Sequence, residues 1–282
     1  MTAKSYATPY VTTDAGALAG VAVLRPSAAV DRLPPIKGEP APIAERAQEQ
    51  HDVLVARLRS LGVAVHEIHP VSEAPTEALV ADCALMLPHG AVIARPSQIE
   101  RRAEVLAVEK HLDERGIPIV GRIEAPGLLD ATDVALARDR VFVGVSRPGA
   151  AFRHRSNELG RKQLEAIVTQ QNYRVVELAI AADVPRLRSV FSLAGEDTVI
   201  AAPDKVDLVA ASGLRVVELP RGEELAAGVV TLGERRVLAN LRFRESITIM
   251  RKAKIAVEAL DLWEFGKAGF GPFALVLALK RG

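Results

Sequence analysis

LVADCALMLPHGAVIARPS, residues Leu79 to Ser97, reads as two short apolar strands folded over a Pro88-His89-Gly90 turn. A charged helical run from Gln98 to Arg115 follows, and beyond Gly116 comes another apolar strand, IPIV. The unit is strand, strand, helix, strand. Its echoes recur at intervals of roughly 40 to 55 residues, the range in which self-similarity marks an array of small repeats. VAVLRPS, Val21 to Ser27, matches AVIARPS, Ala91 to Ser97, nearly residue for residue. RVFVGVS from Arg140, TVIAAPD from Thr198 and RVLANLRF from Arg236 repeat the same second strand. Each has an apolar strand ahead of it: DVALA from Asp133, SVFSLAG from Ser189 and GVVTLG from Gly228.

The first unit lacks a leading strand, because Met1 to Gly20 is mostly polar, whereas FALVLAL, Phe273 to Leu279, has no unit of its own. This predicts five ββαβ blades in a closed α/β propeller, with the C-terminal strand completing the first blade. Radial closure leaves only short, protected sheet edges. The expected organisation is one domain over residues 1–282, with an N-terminal extension at 1–20 and the ring-closing strand at 273–279.

Hydrophobic residues make up 49% of the 282, enough for a large core, and aromatics only 4%, so that core is aliphatic. Thirty-six basic against 35 acidic residues leave a net charge of +1 and no basic run able to track a phosphate backbone, which argues against nucleic acid as a partner. The first residues carry no signal-peptide core, and no stretch approaches the roughly 20 apolar residues that span a bilayer. A cytoplasmic protein is expected. The one cysteine, Cys83, forms no internal disulfide and no thiolate metal site.

Along the chain, Pro34, Pro35, Gly38, Pro40 and Pro42 make an extended loop of the kind that covers sites. Helices are expected from Ile43 to Leu61, Glu158 to Gln171 and Glu245 to Leu260, each with one apolar face, and a short one between Pro203 and Gly213.

In order along nearly the whole chain from Val21, VADCALMLPHGAVIARPSQIERRAEV, LLDATDVALARDRVFVGVS, HRSNELG, PRLRSVFSLAG and GKAGFGPFALVLAL resemble the successive motifs of the guanidino-group-modifying enzymes. Dimethylarginine dimethylaminohydrolase and arginine deiminase are the branches most alike. That resemblance implies the five-bladed pentein fold, no cofactor, and a cysteine nucleophile with a proton-handling histidine and carboxylates that grip a guanidinium. A thiolate is an effective nucleophile, an imidazole titrates near neutrality, and carboxylates pair with a planar cation through charge-assisted hydrogen bonds. By position, the family's acidic pair falls on Ala81 and Asp82, and its arginine before the second helix on Arg101. The acid-Gly-Gly-Asp motif falls on Asp130, Ala131, Thr132 and Asp133, and Arg-Thr-Asn on Arg155, Ser156 and Asn157.

Two positions depart from the family. Its His-Leu-Lys-Ser falls on Arg186, Leu187, Arg188 and Ser189, and its terminal cysteine on Ala274. Arginine stays protonated and alanine has no nucleophilic atom. Loss of a covalent nucleophile costs on the order of 10⁶ in rate. Cys83 reads as a small packed hydrophobe in a strand, on the same face as Ala81. The histidines, with His154 beside Arg155, show no metal-ligand spacing, so no metal is expected.

The resemblance therefore implies a pocket of Asp82, Arg101, Asp130, Asp133, Arg155, Asn157 and Arg186 on a degenerate catalytic site. Such a site fits a non-hydrolytic or repurposed protein for a small amino-acid-like or anionic ligand. The alternative is an active C–N hydrolase or amidinotransferase on an arginine derivative, working through non-standard residues. Arg186 is expected to pair with Asp130 in the empty site. The oligomeric state, a homo-oligomer included, stays open.

Overall fold

Five three-stranded sheets follow from the repeat, each built so that its second strand is central. The computed structural model describes residues 9–70, 73–146 and 156–282. In the first blade, β1 (Leu18–Val23) leads through a Pro-rich loop into α1 (Ala44–Ser60) and β2 (Ala64–Glu67). The second blade holds β3 (Ala84–Leu87), β4 (Gly90–Ile93), α2 (Arg102–Glu114) and β5 (Ile119–Arg122). The third repeats this with β6 (Val134–Leu136), β7 (Arg140–Ser146), α3 (Glu158–Thr169) and β8 (Arg174–Ile180). The fourth has β9 (Phe191–Leu193), β10 (Thr198–Ala201) and β11 (Arg215–Glu218), with only a single 3-10 turn at Val209–Ala211 where its siblings carry a helix. The fifth has β12 (Val230–Gly233), β13 (Arg236–Asn240), α4 (Arg244–Lys252) and β14 (Ala256–Leu260). A four-residue helix, α5 (Trp263–Gly266), then leads to β15 (Leu277–Arg281).

In every blade the first strand pairs antiparallel with the second, across a tight hairpin in four of the five, and the second pairs parallel with the third. The parallel step requires a crossover, which is why a helix or turn sits between those two strands. Gly90 shows how tight the hairpins are: its φ is +146°, and a side chain there would strike the Pro118 carbonyl. Gly62, at φ +81°, ends α1 in the left-handed conformation that favours glycine.

The ring closes as the repeat count demands. β15 pairs antiparallel with β1, Ala22 opposite Leu277 and Val21 opposite Ala278. The closing strand begins at Leu277 rather than Phe273, because Pro272–Leu275 forms a 3-10 turn. The fifth helix also ends early. Lys254 adopts φ +67° beyond α4, and AVEAL, expected as its continuation, is instead β14, the third strand its blade needs.

Residues 10–17 are not an extension. Tyr10 donates to the Pro88 carbonyl at 3.0 Å, Asp14 to that of Leu136 at 2.7 Å, and Ala17 and Gly282 exchange a pair of 2.9 Å bonds. Val11, Thr13 and Asp14 are buried, so this segment straps the second and third blades to the closing strand.

Adjacent blades share their apolar interiors: Leu54 and Leu58 of α1 meet Leu238 and Phe265, while Phe142 of β7 meets Phe191 of β9 edge-on at 5.2 Å. No helix among the described residues is long and apolar enough to cross a membrane.

Removing residues 277–282 strips β1 of its partner and withdraws the buried Leu277 and Leu279, each worth roughly 1.5–3 kcal/mol. At roughly 2–4 °C per kcal/mol in a chain of this size, the truncated protein should melt at least 6 °C below the full chain in a thermal unfolding scan. Equal melting temperatures would refute closure by this strand.

Candidate functional site

One 3-10 turn introduces the first strand of each blade: Val80–Asp82, Ala131–Asp133, Leu187–Ser189, Glu224–Ala227 and Pro272–Leu275. Successive turns pack on one another around the axis. The circuit closes at Gly228 and Gly271, where a side chain on Gly271 would overlap the Gly228 backbone. These turns carry the polar residues of the site. The leading strand expected from Leu79 therefore starts only at Ala84. Cys83 ends its turn in helical backbone, not in a strand facing the way Ala81 does. Burial pushes its thiol well above the usual range, so it stays protonated.

Asp82 is the centre, with 0% of its surface exposed. Its Oδ1 accepts from Arg186 Nε at 2.9 Å and from Thr132 Oγ1, and its Oδ2 from Arg186 Nη2 and Arg101 Nη1, both at 2.6 Å. Burial alone would raise its pKa, but the guanidinium groups of Arg186 and Arg101 outweigh burial and hold the carboxyl well below the usual carboxylate range. Arg101 also donates through Nε to Glu104 at 2.9 Å and through Nη2 to the Leu79 carbonyl at 3.2 Å. Glu104 in turn accepts from Thr76 Oγ1.

Arg186 thus pairs bidentately with Asp82, and the Asp130 carboxylate is its second partner at 3.6 Å. The expected pairing with Asp130 is thus present, but the shorter, two-pronged contact goes to Asp82, toward which Arg186 reaches from extended backbone just ahead of the Leu187–Ser189 turn.

Asp133 accepts from the Leu187 amide at 3.1 Å and from Ser156 Oγ at 2.5 Å, and the Asp130 amide donates to the same Ser156 oxygen at 3.2 Å. Burial, and then the neighbouring Asp130 charge, push the Asp133 carboxyl up to about 7. Asn157 does not face ligand space. Its Oδ1 caps α3 by accepting from Gly160 at 2.8 Å and also accepts from Leu128 at 2.9 Å, while its Nδ2 donates to the Pro126 carbonyl at 2.9 Å. Arg155 and His154 lie outside the described residues.

A cleft of about 320 Å³ opens over Arg186. Its walls are apolar: Leu33, Pro34, Pro35 and Ile36 come from the Pro-rich loop, Leu225 from the fifth blade's turn, and Phe270 from the stretch after α5. The Phe270 ring centroid lies 4.9 Å from the Arg186 guanidinium carbon, a cation–π contact. Of the guanidinium nitrogens, Nη1 makes no hydrogen bond among the described residues. Ala274 is fully buried in the Pro272–Leu275 turn and does not reach the cleft. Asp183 is the cleft's other charged side chain among the described residues.

No family model matches the chain. It is 26% identical over 224 residues, 77% of its length and 83% of the other's, to an N(G),N(G)-dimethylarginine dimethylaminohydrolase of Pseudomonas aeruginosa. A solved dimethylarginine dimethylaminohydrolase of that organism, complexed with citrulline, superposes with a TM-score of 0.82 at 22% identity, covering 93% of this chain and 99% of that one. An amidinotransferase from Microseira wollei matches equally, with a TM-score of 0.82 at 15% identity over 97% of both chains.

The chain has the fold of the guanidino-group-modifying, or pentein, enzymes, and a dimethylarginine dimethylaminohydrolase is among its relatives.

Three residues to which the sequence assigned no role complete the charged centre: Glu104, Thr132 and Phe270. Only Glu104 left a sequence signal, its i,i+3 spacing from Arg101 at the start of a helix. Among the described residues no cluster of three metal-ligating side chains forms.

Asp82→Ala strands two buried guanidinium groups, and it should lower stability by roughly 3–5 kcal/mol in a denaturant titration. Adding Arg186→Met should restore part of that loss, since one stranded charge leaves with it. If the double variant is no more stable than the single, Arg186 does not depend on Asp82.

Asp133 also gives stability a pH dependence with a definite sign. Its folded value near 7 lies above its ordinary one, so its contribution is full at low pH and is lost as pH rises through about 7. His51 acts the opposite way at lower pH: burial brings it down to about 4, so stability grows between about 4 and its ordinary value. Asp133→Asn should flatten the decline between pH 5 and 8 and leave the acid limb intact. A variant that keeps the wild-type decline would place the titrating group elsewhere.

Proposed function

We propose that this pentein is a non-hydrolytic binding protein for a small amino-acid-like ligand, its catalytic site converted by Arg186 and Ala274. One observation carries the reading. The carboxylates that would grip a substrate guanidinium already hold the protein's own: Arg186 is bidentate on Asp82 and also faces Asp130. In the relatives' chemistry a thiolate attacks and an imidazole moves protons; at the two matching positions stand a buried methyl group and a permanent cation. Asp82 and Asp130 hold Arg186 in place, Arg101 fixes the Asp82 carboxylate, and Asp133 and Ser156 fix the adjoining turn.

The cleft above supports the choice of ligand. Arg186 Nη1 offers donors to a carboxylate, Asp183 offers a carboxylate to an ammonium, and the apolar walls suit an aliphatic or aromatic body. Arginine fits poorly, since its guanidinium must either displace Arg186 or lie against proline and phenylalanine.

A second reading, catalysis on an arginine derivative by non-standard residues, draws on Asp133, whose carboxyl near 7 suits general acid–base work. A citrulline assay separates the two. No product is expected from arginine or methylated arginines between pH 5 and 10, and turnover by the unmodified protein would favour the second reading.

The internal guanidinium is tested by chemical rescue. Arg186→Ala empties the grip, so free guanidinium ion at millimolar concentration should raise the melting temperature of the variant by a few degrees and leave the wild type unmoved. In the wild type, carboxylate-bearing apolar amino acids should stabilise more than arginine. If the variant ignores guanidinium while arginine stabilises the wild type strongly, Arg186 does not occupy a substrate position.

A further inference from the structure

A second, smaller cavity of about 50 Å³ lies among Asp14, Arg188 and Arg281. Three distant parts of the chain meet there: the N-terminal strap, the turn that opens the fourth blade, and the closing strand. Arg281 is 6% exposed; its Nη1 donates to the carbonyls of Gly16 at 2.9 Å and Thr231 at 2.7 Å. Arg188 donates through Nη1 to Asp14 Oδ2 at 3.0 Å, and that same oxygen accepts from the Leu136 amide at 2.9 Å.

Two features are left over. The Nε atoms of both Arg188 and Arg281 are buried and have no hydrogen-bond partner among the described residues. The charges do not cancel either, since two guanidinium groups face one carboxylate. Burial pulls Arg281 down to about 10, the Asp14 charge opposes this, and the nearby Arg188 adds to it. Thr132 also lines the cavity, but its hydroxyl is committed to Asp82, and Phe273 presents a ring face to Arg188 at 5.8 Å. Tyr173, close to Asp14, is neutral and donates to the Thr12 carbonyl at 2.8 Å. A buried donor left unmade and a buried charge left uncompensated each carry a cost that one occupant would remove.

We propose that this cavity binds a single small inorganic monoanion of the size of chloride, held between Arg188 and Arg281. Water satisfies the donors but not the charge. A dianion overshoots the one positive charge in excess, and the volume, about a third of the roughly 150 Å³ that admits benzene, leaves no room for a large organic anion. The anion ties the strap, the fourth blade's turn and the closing strand together, and it is independent of the ligand proposed for the cleft.

The test uses the full chain. Crystals grown in bromide should show an anomalous peak between Arg188 and Arg281. Thermal unfolding at constant ionic strength should rise saturably with chloride and not with gluconate, which is too large to enter. Arg188→Gln leaves Asp14 to cancel Arg281, and the midpoint of the chloride response should weaken at least tenfold. Should that variant fail to fold, the bromide peak and the contrast between chloride and gluconate decide on the wild type alone. Density without an anomalous signal, or equal responses to the two anions, overturns the proposal.

Discussion

A single carboxylate removed from water ties three successive blades together. Asp82 stands in the second blade's turn and accepts from Arg101 at the start of that blade's helix, from Thr132 of the third blade's turn, and from Arg186 ahead of the fourth. Each partner alone would pay several kcal/mol to leave water, and the three together make the arrangement tolerable only in this geometry. Guanidinium suits the role because its planar fork can give two parallel bonds to one carboxylate and still point a third nitrogen elsewhere. The ring's centre is thus specified by polar contacts, while its rim is specified by aliphatic packing between blades. The two layers act on different scales: apolar faces set which strands pair, and the charged centre sets how the blades are phased about the axis.

That division explains what could be read from the sequence. The second strands AVIARPS, RVFVGVS and TVIAAPD are buried on both faces and stand as continuous apolar runs, so five repeats and the closing partner of β1 were legible. The 3-10 turns were not, since three residues show no period, and VAD merged with the strand that follows. AVEAL was misread for a related reason: Ile249, Ala253, Ala256 and Leu260 keep a helical spacing, and only the left-handed Lys254 breaks it. Asp82, Arg101, Asp130 and Arg186 were all found as site residues, but the two-pronged contact between Arg186 and Asp82 was not. Which carboxylate Arg186 takes depends on the direction of its backbone at the turn, and spacing along the chain does not encode that.

An arginine between Asp82 and Asp130 gives the site a different logic from an imidazole, as well as a different charge. An imidazole between two carboxylates can gain and lose a proton, so the site can exist in two states near neutrality. A guanidinium has one state and fills its partners permanently. The proton capacity near neutrality lies in Asp133, one blade away from Asp82, where it is shielded by Ser156 and the Leu187 amide. The cation at the centre is therefore fixed, and the charge that can change near neutrality sits in a carboxyl that faces protein.

The sequence Arg186-Leu187-Arg188 carries this asymmetry in three residues. Leu187 is fully buried against the third and fourth blades and fixes the turn, and the residues on either side line different cavities. Arg186 lines the cleft beneath the Pro-rich loop, and Arg188 lines the small cavity beside the N-terminal strap. Each lies near an aromatic side chain of the same C-terminal stretch, Phe270 for the first and Phe273 for the second. One short turn therefore couples the two cavities mechanically: shifting Leu187 to admit a substrate guanidinium beside Asp82 would also move Arg188 off Asp14. That Asp14 contact adds the fourth blade's turn to the strap that joins the second and third blades to β15. A substitution that moves this turn therefore acts on both cavities, because the residue on Asp82 and the residue on Asp14 are separated by one buried leucine.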